Sequence, residues 1–252
     1  MNPELFHLHS EIELTHWWFV GRRAILGALV RELLGRERGT VVDIGCGTGA
    51  NIASLSGDYR CLGVDTTPAA IDLARSRHPS VEFRLGAAPA VIGDMYPAAD
   101  AFLMMDVLEH LEDDASTLAE LVRPMRRGAV FLITVPADMR LWSTHDVSFG
   151  HHRRYDRESL GALWSGLPVT TLLLSHFSAR LYPAVRAVRA ITRATGGTFG
   201  SRGTDFAVPP PPVNGLLTRL FAGESARLVR AMRGDARPYA RGSSLVAILR
   251  RT

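Results

Sequence analysis

The sequence predicts an α/β fold, a doubly wound and mostly parallel sheet with helices on both faces. Two observations predict it. Six short apolar runs recur between residues 40 and 174, with helix-like stretches among them, and a seventh run closes the chain at Ser243–Leu249. Continuous apolar runs are what strands need when helices cover both faces of a parallel sheet. The first run also empties into a glycine-rich turn, Asp43-Ile44-Gly45-Cys46-Gly47-Thr48-Gly49, where a strand gives way to a helix.

The elements follow in order. Residues 1–38 read as an N-terminal helical lid containing His16-Trp17-Trp18-Phe19 and Arg22-Arg23. Three adjacent aromatics cannot share one side of a helix, so at least one meets a ligand or another surface. Residues 39–177 form the cofactor-binding core, with strands expected at Thr40–Ile44, Arg60–Val64, Val81–Leu85, Ala101–Met105, Ala129–Val135 and Val169–Leu174. Thr67-Pro68 supplies a cap residue and then proline at the first helical position, ahead of Ala69–Arg75. Asp156 caps Arg157–Trp164 in the same way. Residues 178–241 are helix-like, rich in arginine and interrupted by Gly196-Gly197 and Pro209–Pro212. They read as an insertion in a single domain, before a last strand within 242–252.

Composition bounds the rest. At 252 residues, 46% hydrophobic and 21% charged, the chain can bury one substantial core. No apolar run approaches the ~20 residues of a membrane-spanning helix. The first residues lack the basic and apolar blocks of a signal peptide. Cys46 and Cys61 lie in core-like segments and imply no disulfide framework. A cytoplasmic protein is the expectation. All 29 basic residues are arginine, and they are unevenly spread. Residues 1–180 hold 17 arginines against 22 acids, a net of −5, whereas residues 181–252 hold 12 against 3, a net of +9. Such asymmetry marks a surface for something anionic.

The glycine turn lets the backbone bend tightly and come close to a ligand. Its spacing alone also fits dinucleotide-binding proteins. Asp43 discriminates: a carboxylate two residues before the first glycine would repel a pyrophosphate, yet suits a ligand with an ammonium and a sulfonium. Asp65 ends the next strand, where it can accept hydrogen bonds from ribose hydroxyls.

Asp43–Gly49, Leu62-Gly63-Val64-Asp65 and Asp106-Val107-Leu108-Glu109-His110-Leu111 resemble the successive motifs of class I S-adenosylmethionine-dependent methyltransferases. The resemblance covers about residues 16–176 and the final strand. It implies a Rossmann-like seven-stranded sheet with an antiparallel last strand, and S-adenosylmethionine as cofactor. By similarity, Asp43, Gly45, Gly47 and Asn51 surround its methionine part, Cys46 and Gly49 complete the cofactor-binding turn, and Asp65 with Thr66 holds the ribose. Ala87 and Ala88 lie near the adenine, and Asp106 stands at the methionine end. Methyltransferases with a similar aromatic–arginine opening suggest that Trp18 or Phe19 packs near the sulfonium and Arg22 pairs with the cofactor carboxylate.

The acceptor side falls on Trp142–Tyr155. Similar His-Asp…Gly-His-x-Arg-Arg-Tyr segments occur in a bacterial subgroup of these enzymes. Imidazole suits proton removal from a nucleophile near neutral pH, which makes His145 and His151 candidate bases, with Asp146 orienting one of them. His152, Arg153, Arg154 and Tyr155 are candidates for holding an anionic substrate. No metal site is expected, because the spacing of these histidines is not diagnostic.

In 178–193, Leu181, Tyr182, Val185, Val188 and Ile191 alternate with Arg180, Arg186, Arg189 and Arg193. The readings left open are packing on the domain, covering the active site, and peripheral contact with an anionic membrane. Val213–Val229 either completes the lid or makes a homodimer contact. Nucleic acid is not an expected partner, because stacking aromatics do not interleave the arginines. The expected reaction is methyl transfer to an oxygen, less favourably a nitrogen or carbon, of a small or lipid-linked metabolite with an anionic group. The alternatives are a non-methylating cyclisation or decarboxylation on the same fold, and a non-enzymatic membrane- or partner-binding scaffold.

Overall fold

The computed structural model describes residues 10–35, 39–195 and 207–252. Seven strands form one sheet: β1 (Thr40–Ile44), β2 (Arg60–Asp65), β3 (Glu82–Leu85), β4 (Ala101–Met105), β5 (Val130–Pro136), β6 (Val169–Phe177) and β7 (Ser244–Arg251). Their order is β3-β2-β1-β4-β5-β7-β6. The pairs β1–β2, β1–β4, β2–β3 and β4–β5 are parallel, while β7 runs antiparallel to both β5 and β6. The architecture is therefore the expected Rossmann-like sheet with its last strand reversed.

Nine α-helices have described bounds: α1 (Trp17–Leu34), α2 (Ala50–Ala53), α3 (Pro68–Arg77), α4 (Asp114–Val122), α5 (Thr144–Phe149), α6 (Arg157–Ala162), α7 (Tyr182–Thr195), α8 (Pro211–Ala222) and α9 (Ser225–Met232). Local chemistry sets their ends. Asp156 accepts from the Ser159 backbone amide and the Ser159 hydroxyl bonds back, closing a capping box on α6. Thr67 stands at the cap position of α3, but its side chain makes no capping bond. Its amide is held by Asp65 Oδ1 at 2.8 Å instead, and Pro68 starts the helix by its fixed φ. His16 caps α1, accepting from the Trp18 amide.

Alternating strand residues face two apolar layers. Val41, Leu103, Leu132 and Ile248 pack with Leu29, Ile52, Ile71 and Phe221 on one side. Val42, Phe102, Phe131 and Ala247 pack with Leu118, Leu121 and Leu160 on the other. The helices between β6 and β7 add to the first layer. A Cβ on Gly21 of α1 would lie 2.6 Å from the Phe221 ring, so the bare glycine lets α8 approach. Asn214 of α8 clips the start of α1, accepting from the Trp17 amide at 2.9 Å and donating to the Thr15 carbonyl at 2.8 Å. Among the described residues, no helix is long and apolar enough to cross a membrane.

Strand order reverses between β1 and β4, whose following segments leave in opposite directions. A crevice opens there at the carboxyl ends, the place where such sheets take ligands.

Candidate active site

The turn after β1 crosses the mouth of that crevice. Gly45, Gly47 and Gly49 all have positive φ, which side-chain-bearing residues rarely adopt. At Gly45 a Cβ would also lie 2.5 Å from Val107 Cγ2, so the turn and the exit of β4 touch. At Gly47 nothing lies within 4 Å of that position, leaving bare backbone facing open space. Asp65 braces the turn, accepting from the Gly47 amide at 2.9 Å through Oδ2. Cys46 is buried, and burial pushes its thiol well above the ordinary range.

Asp43 is fully buried, and neither carboxylate oxygen has a hydrogen-bond partner. Burial raises its pKa to about 7, with Arg22 opposing and Asp65 reinforcing. An orphaned carboxylate behind a glycine cradle suits a ligand that brings hydrogen-bond donors or positive charge.

A cavity of about 570 Å³ extends from the turn. Gly45, Cys46, Gly47 and Asn51 line one end of it, and Trp18, Arg22 and Asp106 stand beside them. Arg22 lies over the Trp18 ring at 4.4 Å and forms an ion pair with Asp106. Expected to meet a ligand carboxylate, Arg22 here meets a protein one. Asp106 has a φ of 56° and its Oδ1 accepts from the Thr134 hydroxyl at 3.2 Å. Asp65 ends β2, and Thr66, Ala87 and Ala88 follow β2 and β3 at the same end of the sheet, all outside this cavity's lining.

The far end is built on Asp146. Ser143 and Asp146 form a capping box at the start of α5. The buried Asp146 carboxylate also takes Arg154 Nε at 2.8 Å and Nη2 at 3.1 Å, and His151 Nδ1 at 3.0 Å. Burial raises its pKa, but these partners outweigh burial and hold it well below the ordinary carboxylate range. His145 lines the cavity with its ring 4.6 Å from Phe149, and burial, with Arg189 next, lowers its pKa to about 3. His151 lines the same wall, its ring 4.8 Å from that of His110.

Not every expected substrate residue reaches this space. Arg153 donates to Asp114 Oδ2 at 2.9 Å, and the Tyr155 hydroxyl donates to the same oxygen at 2.6 Å. Both therefore tie the loop to α4, and with the exposed His152 they lie outside the cavity lining. Arg154 does line it, although its guanidinium is committed to Asp146.

Sequence reasoning gave Glu13 and Glu109 no role of their own and ranked His110 below the histidines after β5. Glu13 receives the Thr48 hydroxyl at 2.7 Å and so ties the N-terminal segment to the glycine turn. Glu109 is fully buried with both oxygens unpartnered, and burial followed by the Asp106 charge raises its pKa well above the ordinary range. The signal was the Glu109-His110 pair inside the motif after β4. Leu181, Val185 and Val188 of the basic insertion line the cavity, joined by Leu217 from α8.

Residues 42–133 match the methyltransferase domain family. A probable S-adenosylmethionine-dependent methyltransferase of Mycolicibacterium smegmatis is 32% identical over 124 residues, covering 48% of this chain and 46% of the relative. A trans-aconitate 2-methyltransferase of Azoarcus sp. is 36% identical over 115 residues, covering 42% and 44% respectively. The chain thus spans somewhat under half the length of these curated relatives. Among solved structures, a plantazolicin methyltransferase in complex with SAH superposes with a TM-score of 0.60 at 12% identity, over 99% of this chain and 90% of that one. The family match and the relatives support a methyltransferase core whose cofactor is S-adenosylmethionine.

Proposed function

We propose that this protein is an S-adenosylmethionine-dependent methyltransferase acting on an oxygen nucleophile of a small or lipid-linked metabolite that carries an anionic group. The observation that carries the reading is Asp43, buried and unpartnered behind a glycine turn, within the stretch that matches the methyltransferase domain. The chain's residues fit the cofactor. Its amine and sulfonium supply the donors and positive charge that Asp43 lacks, and Gly47 offers a backbone surface with no side chain in the way.

When bound, S-adenosylmethionine supplies a methyl group on a positively charged sulfur, open to in-line attack. The chain's own task is alignment, worth several kcal/mol when the reacting atoms are held at contact distance. Gly45 and Val107 interlock, so the cofactor turn and the β4 exit keep a fixed spacing. Trp18 and Arg22 close the side of α1 over the cavity, while Leu181, Val185 and Val188 give the acceptor an apolar, water-poor wall. Arg189 lines the same space and gives an anionic group a cation. The trans-aconitate enzymes among the relatives, whose named substrate is an anion, support that choice.

At the acceptor end, Asp146 accepts a hydrogen bond from His151 Nδ1–H, which places the ring's lone pair on Nε2. That nitrogen is available to the acceptor's proton, or to whatever else polarises the acceptor. His145, with its pKa lowered to about 3, is a poor base and acts as a neutral hydrogen-bonding group.

Calorimetry with S-adenosylmethionine and S-adenosylhomocysteine tests the reading. One equivalent of each is expected to bind, and Asp43→Asn is expected to weaken both. Failure of the wild-type protein to bind either would overturn it.

A further inference from the structure

We propose that Glu109, His110 and His151 form a site for one divalent transition-metal ion at the acceptor end of the cavity. The three come from two segments, the turn after β4 and the loop after α5. Each offers one ligand atom, and these atoms lie within 4.8 Å of one another. His151 Nε2 stands 3.9 Å from Glu109 Oε1. That is too long for a hydrogen bond, but within reach of two donors each ~2.1 Å from a shared ion.

The surroundings prepare all three groups for a cation. Glu109 is fully buried, and neither of its oxygens has a hydrogen-bond partner. Such a group is costly unless something compensates it, and a dication does so directly. His151 donates an Nδ1–H hydrogen bond to Asp146, 3.0 Å away, which leaves the Nε2 lone pair for the ion. The His110 ring meets that of His151 edge-on, 4.8 Å between ring centres, which holds it beside the other two groups. Metal-bound histidines characteristically donate their second N–H to a carboxylate or a carbonyl, as His151 does to Asp146. Two imidazoles and one carboxylate favour Mn²⁺, Fe²⁺, Co²⁺ or Zn²⁺ over Mg²⁺ or Ca²⁺, which prefer all-oxygen shells.

Three protein ligands leave coordination positions open, and all three residues line the cavity. What fills those positions rests on the methyltransferase reading: an oxygen of the acceptor. Binding to the ion weakens its O–H bond. The proton passes to water, and the electron pair stays on oxygen for attack on the methyl carbon. His151 is then a ligand, and the ion takes over the task that would otherwise fall to that ring.

The test uses the full chain, stripped with a chelator and titrated with Mn²⁺ while free ion is followed by electron paramagnetic resonance. Co²⁺ is the second probe, read by its visible absorption. One equivalent per chain is expected. Glu109→Gln and His110→Ala should each weaken binding at least as much as a lost outer partner does, which is about tenfold or more. Because the Glu109 carboxylate bonds to no protein group, Glu109→Gln should keep the fold, and S-adenosylhomocysteine binding by the variant checks this. Neither ion binding, or an unchanged affinity in Glu109→Gln, overturns the site. S-adenosylhomocysteine bound without metal removes the site and keeps the methyltransferase. Metal bound without S-adenosylhomocysteine keeps the site and removes the methyltransferase.

Discussion

Asp43 and Asp146 are both fully buried, yet only Asp146 has partners. Their effects on stability therefore run in opposite directions with pH. The folded pKa of Asp43 is raised from 3.8 to about 7, so its contribution is complete below the unfolded value and is lost as pH rises through 7. At about 1.4 kcal/mol per unit, the loss is on the order of 4 kcal/mol. Urea unfolding of the ligand-free protein as a function of pH should show this decline, and Asp43→Asn should flatten it. Asp146 has a depressed pKa, so its contribution is present above 3.8 and is lost only as pH falls below that value. Asp146→Ala strands the buried Arg154 guanidinium and should cost about 3–5 kcal/mol in the same measurement. The carboxylates differ in legibility too. Asp43 could be singled out by its place before the glycines, whereas the role of Asp146 as a hub depends on Arg154 and His151 turning back towards it, which spacing does not reveal.

The glycine turn separates two reasons for having no side chain. At Gly45 a Cβ would strike Val107, while at Gly47 it would meet nothing. Gly45→Ala should therefore lower the melting temperature more than Gly47→Ala, which bears chiefly the left-handed backbone penalty of about 1–2 kcal/mol. Gly47→Ala should instead show its effect in calorimetry, as weaker S-adenosylhomocysteine binding with the fold retained. Helix α1 offers a third case: Gly21→Leu should force Phe221 aside and destabilise the α1–α8 contact, seen as faster hydrogen exchange in both helices. The strands and the turn were legible because apolar runs and glycine spacing are local signals. β2 and β6 run beyond the expected ends, to Asp65 and Phe177, since pairing with a neighbour rather than apolarity decides where a strand stops. The docking of α8 on α1 joins residues about 200 positions apart, as in Asn214 with Trp17, and nothing in either segment announces the other.

Across the whole molecule, the cavity is a joint product of distant segments: the glycine turn, α1, the β4 exit, α5 and the helices before β7. Ligand binding should therefore be felt well beyond the turn, and hydrogen exchange with S-adenosylhomocysteine present should slow in α1 and α7 as well as in α2. Protection confined to α2 would mean that the roof does not take part. The sequence could locate a basic, amphipathic stretch in 178–193 but not which way it faced. Leu181, Val185 and Val188 line the cavity, while Ile191 on the same helix remains exposed. The position of β7 has a further consequence, one of timing. It lies between β5 and β6, and β6 has no other neighbour in the sheet. During synthesis β6 emerges long before the strand that will hold it, and its backbone groups wait unpaired while some 70 further residues are made. Completion of the sheet is thus a late, long-range event, and a growing chain halted before β7 would expose two open strand edges to its neighbours.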